Sequence, residues 1–262
     1  MSILLGLKLT LVPALIAVVT LAGRRWGPSV AGWLSAFPVV SAPILWFIAI
    51  EQGDAFVATA AAGTLSAVLA MLVFAICYAW TAARCAWGPS LLLGLAAYAC
   101  AVMGLRLWAP ALFVAAPVVL VALLLAPRLF PTGGVQMASP AAKANDIPWR
   151  MAAGAALVCL VTHFSSQLGP RLSGVLAMFP VMASVLAVFS HRHSGAPFAI
   201  QLLRGSVLGY YAFAAFCLVL SLALPEVGRG AAFFMALVCA VLIQVGSRVY
   251  LKRTLLLSGK PA

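Results

Sequence analysis

Residues 27–39 read GPSVAGWLSAFPV, and residues 169–181 read GPRLSGVLAMFPV. Seven of the thirteen positions are identical at one offset of 142 residues: Gly27/Gly169, Pro28/Pro170, Gly32/Gly174, Leu34/Leu176, Phe37/Phe179, Pro38/Pro180 and Val39/Val181. The register continues without a gap to Gly53/Gly195, Phe56/Phe198 and Gly63/Gly205. Biased composition produces scattered Ala and Leu matches. It does not readily produce matched Gly and Pro with a Phe-Pro in step. The chain therefore reads as an internal duplication.

The rest of the sequence says where that duplication lives. Of 262 residues, 65% are hydrophobic and 8% are charged, and the mean hydropathy is +1.15. Soluble domains carry about 45–50% apolar and about 25% charged residues. The composition excludes a soluble enzyme and a disordered tail. It also excludes an outer-membrane barrel, whose strands alternate apolar and polar residues and give no long apolar runs. An all-α polytopic membrane bundle remains.

A helix needs about 20 apolar residues to cross about 30 Å of hydrocarbon. Apolar runs fall at 3–22, 29–50, 56–80, 89–105, 109–126, 151–167, 172–190, 197–223 and 231–249. The stretch 89–126 is too long for one span and is interrupted by Arg106, Trp108 and Pro110, so it is split into two short helices. About nine transmembrane helices follow.

The charges test that count. Lys and Arg total 16 against 4 Asp and Glu, a formal net charge of +12. The bases are scattered singly between apolar runs, which marks topology signals and not a nucleic-acid face. With nine spans, one set of loops holds eleven bases: Arg24, Arg25, Arg84, Arg128, Lys143, Arg150, Arg192, Arg248, Lys252, Arg253 and Lys260. The other set holds Arg106, Arg171 and Arg229. Merging 89–126 destroys this bias. The expectation is a multi-pass protein of the bacterial cell inner membrane, N-terminus outside and C-terminus cytoplasmic. Arg24 and Arg25 follow the first run and outweigh Lys8 before it, so that run reads as a retained helix and not a cleaved signal. Lys8 is placed near the outer interface, within reach of snorkelling.

The offset pairs the first four spans with the last four and leaves the fifth as connector. The expected units are 1–108, a first four-helix repeat; 109–150, a connecting helix and a flexible cytoplasmic linker; and 151–262, a second repeat. Five spans precede the second unit, so it enters the membrane the other way up. This is an inverted-topology repeat of four helices plus one connecting helix. Transporters are often built so, with sites near the midplane where the repeats meet.

Pro38 and Pro180 lie about ten residues into their spans, close to mid-bilayer. Each pushes away the carbonyl four residues earlier, those of Leu34 and Leu176. In lipid such a carbonyl must find a partner, so the breaks are expected to face protein or a wet cavity with the carbonyls as ligands. Gly32, Ser35 and Ala36 in one unit, and Gly174 and Ala177 in the other, permit close helix approach. Pro43 adds a second irregularity to the 29–50 run. Arg204 stands alone within the 197–223 run, and an ionisable group in a span marks a functional site by default. Its repeat mate is Ala62, so the charge breaks the symmetry. Gln201, Ser206 and Tyr210 lie one or two turns away.

The candidate substrate site is therefore Arg204, Leu34, Leu176, Phe37, Pro38, Phe179, Pro180, Ser35, Gln201, Ser206 and Tyr210. His163 sits among Thr162, Ser165, Ser166 and Gln167, the most polar stretch in any span, and is a weak proton-relay candidate. His191 and His193 flank Arg192 but are too few to signal a metal. Glu51 and Asp54 read as a solvated turn. The cysteines Cys77, Cys85, Cys100, Cys159, Cys217 and Cys239 form no CxxC pair, so neither a disulfide framework nor a zinc site is expected.

Each half resembles the GlpM-type family of small bacterial inner-membrane proteins. The residues that carry the resemblance are Ala31-Gly32, Phe37-Pro38 and Gly53 in the first half. In the second they are Gly174, Phe179-Pro180, Gly195 and Arg204. The resemblance implies two fused copies of a unit that elsewhere occurs singly. It also implies a link to alginate production, and a basic residue at Arg204 in one copy only. The leading functional expectation is a secondary transporter or permease for a small polar or anionic solute. The alternative is a non-transporting assembly factor for envelope polysaccharide. An intramembrane lipid enzyme is disfavoured, because acid–base chemistry needs positioned titratable groups and none of the four carboxylates lies within a run. No nucleotide motif or cofactor is expected. The expected partners are membrane lipid and the solute, with no nucleic acid, and a homodimer is left open.

Overall fold

The computed structural model describes residues 3–108, 110–131, 146–167 and 179–257. These residues are helical, with no strand among them. The helices are α1 (Ile3–Trp26), α2 (Pro28–Ser35), α3 (Ser41–Gln52), α4 (Asp54–Ala82), α5 (Trp87–Trp108), α6 (Leu112–Leu129), α7 (Ile147–Gln167), α8 (Val181–Ser194), α9 (Ala196–Val227) and α10 (Arg229–Leu257). Among the described residues, six are long and apolar enough to cross a membrane: α1, α4, α5, α6, α9 and α10.

The distribution of apolar surface follows from lipid as solvent. Leu107, Phe113, Phe234 and Leu242 are 88%, 80%, 69% and 68% exposed. They sit on α5, α6 and α10, where water would penalise them at roughly 25 cal/mol per Å². Inside, the closest packing is built from small residues and aromatics: Ala61, Phe74, Ala75, Tyr78, Ala212 and Phe216 are fully buried. They belong to α4 and α9, which pack on each other at the centre.

The 89–126 stretch is two helices. α5 ends at Trp108 and α6 begins at Leu112, with Pro110 in the turn, where its missing N–H breaks no helical bond. The 29–50 run is also two pieces. α2 stops at Ser35, Phe37-Pro38 lies in the turn, and α3 restarts at Ser41.

The two halves match at the offset of the sequence repeat. α4 and α9 start at Asp54 and Ala196, α5 and α10 at Trp87 and Arg229, and α3 and α8 end at Gln52 and Ser194. The linking residues are Gly53 (φ 88°, ψ 163°) and Gly195 (φ 85°, ψ 167°). This left-handed region is open to Gly and closed to most residues. The residues at and just ahead of the starts of α3 and α8 bond alike as well. Val39 and Val181 donate to the Phe37 and Phe179 carbonyls, both at 2.8 Å.

α1 and α7 run antiparallel, and so do α4 and α9. Arg24 of α1 meets Asp146 at the start of α7, and eight residues further into each helix a Cβ on Gly154 would strike Ile16. Ser221, late in α9, donates to the Ala58 carbonyl early in α4 at 2.8 Å. Packing partners exchange in the same way: α3 touches α10, and α5 touches α8. α6 has no counterpart and packs on both α4 and α9.

Two sequence readings change. Asp146 and Arg150, taken as part of a flexible linker, are only 5% and 6% exposed, because α7 begins at Ile147 and draws them into the bundle. Residues 132–145 of that linker lie outside the described residues. Asp54, taken as a solvated turn residue, accepts from Arg229 Nε at 2.7 Å. Both side chains of that pair are about a third exposed. Asp54→Asn is therefore expected to cost at most about 1 kcal/mol, read as thermal stability in detergent.

Candidate functional site

The break at Phe37-Pro38 is closed by polar partners from its own neighbourhood. Ser35 Oγ donates to the Gly32 carbonyl at 2.7 Å. Gln244 Nε2 of α10 donates to the Trp33 carbonyl at 2.9 Å, and Trp33 Nε1 donates to Ser247 Oγ at 3.1 Å. The Leu34 carbonyl accepts from the Phe37 N–H at 3.2 Å. The expectation of a free Leu34 carbonyl is therefore corrected. The proline does displace it, but a tighter i to i+3 turn satisfies it, as a lipid-embedded backbone requires. Leu176 lies outside the described residues.

What stays unpartnered here is side-chain oxygen. Ser41 Oγ, Ser184 Oγ and Gln244 Oε1 are buried without a hydrogen bond. Ser41 opens α3 and Ser184 closes the first turn of α8 through its N–H on the Pro180 carbonyl at 2.9 Å. Ser41 and Ser184 thus set unsatisfied hydroxyls in the first turns of α3 and α8, where the helix dipole is positive. An unmade bond of this kind costs about 1–3 kcal/mol, so a polar ligand there is favoured.

Aromatic hydroxyls stand beside the second break. Tyr98 of α5 meets Phe179 edge-on, centroids 6.5 Å apart at 73°. Tyr98 also lies near Tyr210 of α9, which stands beside Ser206. Ser206 Oγ in turn donates to the Leu203 carbonyl at 2.7 Å. Phe179, Ser206 and Tyr210 are thus linked through Tyr98, and Pro38 and Pro180 are buried at the two breaks. Leu34, Phe37, Ser35 and Gln201 are half-buried.

Arg204 does not join them. Its residue is exposed, whereas Gly205, Ser206 and Tyr210 are buried. It lies eight residues into α9, about 12 Å along the axis, on an exposed position of that helix. His163 occupies an exposed position of α7.

A second polar centre, which the sequence reading missed, gathers at one end of the bundle. Asp146 receives Arg24 Nη2 on Oδ1. On Oδ2 it receives Arg150 Nε at 2.8 Å and Nη2 at 2.7 Å. His193 Nδ1 lies 3.5 Å from Oδ2. The Phe189 ring carries the Arg150 guanidinium 5.3 Å from its centroid and stacks on the His193 ring, 5.9 Å away at 9°. Burial opposes ionisation of Asp146, but the Arg150 hydrogen bond and the charges of Arg150, Arg24 and His193 outweigh it and hold the carboxyl below its ordinary value. Nearby, His191 Nδ1 and Tyr78 Oη are 3.4 Å apart, and burial pulls that imidazole below its ordinary value.

A signal for this centre does exist in the chain. Asp146 precedes Arg150 by four residues at the mouth of an apolar run, the spacing of a helical ion pair. The mid-depth Tyr98 is likewise a lone phenol within the 89–105 run. Among the described residues no group of three His, Cys, Asp or Glu is placed to hold a metal. No protein-family model, curated protein or solved structure matches the chain.

Proposed function

We propose that this protein is a secondary transporter or permease for a small polar or anionic solute. In this reading two four-helix units of opposite orientation, joined by α6, make nine crossings of a bacterial inner membrane. The resemblance of each half to a GlpM-type unit agrees with such a fusion. The single observation that carries the proposal is the pair of helix starts that follow Phe37-Pro38 and Phe179-Pro180. Phe37-Pro38 and Phe179-Pro180 repeat the same backbone bonding. They also leave Ser41 and Ser184 hydroxyls buried and unpartnered at the restarts.

Interrupted helices that restart near the midplane present positive dipole ends to a solute. Ser41 and Ser184 would donate to it, and Tyr98, Tyr210 and Ser206 would line its path. Arg204, on the outer face, serves orientation in lipid and not the site. The closed packing around α2 and α9 is one state of such a carrier, and rocking of one unit against the other would open it.

The test is flux in reconstituted vesicles loaded with radiolabelled small monocarboxylates, phosphate and polyols. Ser184→Ala and Pro180→Ala are each expected to lower flux of the transported member about tenfold, with Arg204→Gln close to wild type. If both variants keep full flux and binding, the mid-depth site is wrong. An absence of flux for every solute, with partner-dependent capture of envelope-synthesis proteins, would favour the assembly-factor reading. Labelling of the two termini tests the topology. Both termini in one compartment would remove the inverted pairing.

A further inference from the structure

At the buried end of the bundle lies a cavity of about 20 Å³, lined by Thr20, Arg24, Arg150, Ser190, Ser194 and Phe198 among others. A cavity needs roughly 10–15 Å³ to hold one water, so this one holds one small particle and no more. Its lining is basic. Two guanidinium groups face one carboxylate, that of Asp146. The chain's other three carboxylates, Glu51, Asp54 and Glu226, lie at the far ends of α3, α4 and α9. The cluster therefore carries net positive charge in a region where uncompensated charge costs several kcal/mol.

The hydroxyl of Thr20 supplies an independent sign. Thr10, Thr59, Thr64 and Thr81 all donate back to the carbonyl four residues earlier in their helices, at 2.8–3.1 Å. Thr20 does not. It is 6% exposed, and its Oγ1 has no partner although it lines the cavity. Its O–H is free to donate into that space. The N-terminus of the 32-residue helix α9, with Phe198 on the wall, adds a positive dipole end. Of the titratable groups, Arg24 of α1 and Arg150 of α7 line the cavity, and Asp146, with His193 of α8 beyond it, stands behind them. Asp146 alone opposes an anion. Its oxygens are turned to the arginines that hold it, and Arg150 keeps donors beyond the Nε and Nη2 it gives to Asp146.

We infer that this cavity is a binding site for one monovalent anion of halide size, held by Arg24, Arg150 and the Thr20 hydroxyl. The anion neutralises the cluster and ties α1 to α7. The site is separate from the mid-depth breaks and does not depend on transport.

The experiment measures thermal unfolding of the full chain in detergent at constant ionic strength, with chloride or bromide titrated against gluconate, which is too large to enter. Saturable stabilisation by chloride and bromide and none by gluconate is the expected result. Equilibrium binding of radiolabelled chloride should give one ion per chain. Thr20→Val, close to isosteric, is expected to raise the half-saturating chloride about tenfold, since a hydrogen bond to a charge contributes about 1.5–3 kcal/mol. Arg24→Gln should abolish the effect, and Arg204→Gln should leave it intact. If Arg24→Gln fails to fold, Thr20→Val alone decides. Equal stability in chloride and gluconate would mean that the cavity holds only water and would overturn the site. So would an unchanged half-saturation in Thr20→Val.

Discussion

Asp146→Asn is expected to destabilise the protein by about 3–5 kcal/mol, the range for breaking a buried ion pair by removing one partner. The reason is the neighbourhood and not the bond itself. Arg150 is 6% exposed and rests on the Phe189 ring, so its charge stays largely buried once its carboxylate is gone. Arg24 and His193 share the same oxygens, so the variant leaves two or three cationic groups facing one another. Thermal unfolding in detergent measures the loss. A double variant, Asp146→Leu with Arg150→Met, removes charge from both sides and is expected to recover much of the stability. Equal losses in the single and the double variant would show that the pair is not coupled.

The same variant changes the response to acid. The Asp146 carboxyl is held below its ordinary value in the fold. Its contribution is therefore complete above the ordinary carboxylate range and is lost as pH falls through the lower, folded value. The wild type should lose stability there, and Asp146→Asn should not show that limb. His191 acts at higher pH. Burial favours its neutral ring, so its contribution is complete above about pH 6.5 and declines as pH falls below that. That limb should survive in Asp146→Asn.

Gly205→Ala is expected to cost about 2–3 kcal/mol, near the upper end for overpacking. α2 lies so close to α9 that an added Cβ at Gly205 would enter the Ser29 backbone, and one at Gly209 would strike the Trp33 carbonyl and Ala36. From the other side, a Cβ on Gly32 would meet the Leu202 carbonyl and the Ser206 amide. Backbone cannot step aside as a flexible side chain can. The three glycines form one seam of the kind that lets membrane helices touch. Gly104 on α5 has open space around it and serves as control. Gly104→Ala should be neutral or stabilising within about 1 kcal/mol. Similar effects at both positions would mean that the α2–α9 contact is not tight in solution.

The sequence carried the architecture a long way. Apolar runs located α1, α4, α5, α6, α9 and α10, because a span in lipid needs uninterrupted apolar length and nothing subtler. Pro110 separated α5 from α6, and Phe37-Pro38 divided α2 from α3, because proline acts on the backbone whatever surrounds it. The offset of the repeat paired Gly53 with Gly195, and the structure gives the two the same left-handed conformation.

Tertiary structure alone decided which polar groups are satisfied and which side they face. Helical spacing puts Arg204 within a turn of Ser206, yet their side chains diverge, one outward and one into the α2–α9 seam. The displaced Leu34 carbonyl found the Phe37 amide, and the Trp33 carbonyl found Gln244, a partner 211 residues away in the chain. The cluster of Arg24, Asp146, Arg150 and His193 joins three helices, and the local spacing of Asp146 and Arg150 says nothing of Arg24 or His193. Local sequence governs where a backbone can bend and how long it can stay in lipid. The fate of a charge or a hydroxyl depends on what distant segments bring to it, and only packing supplies that.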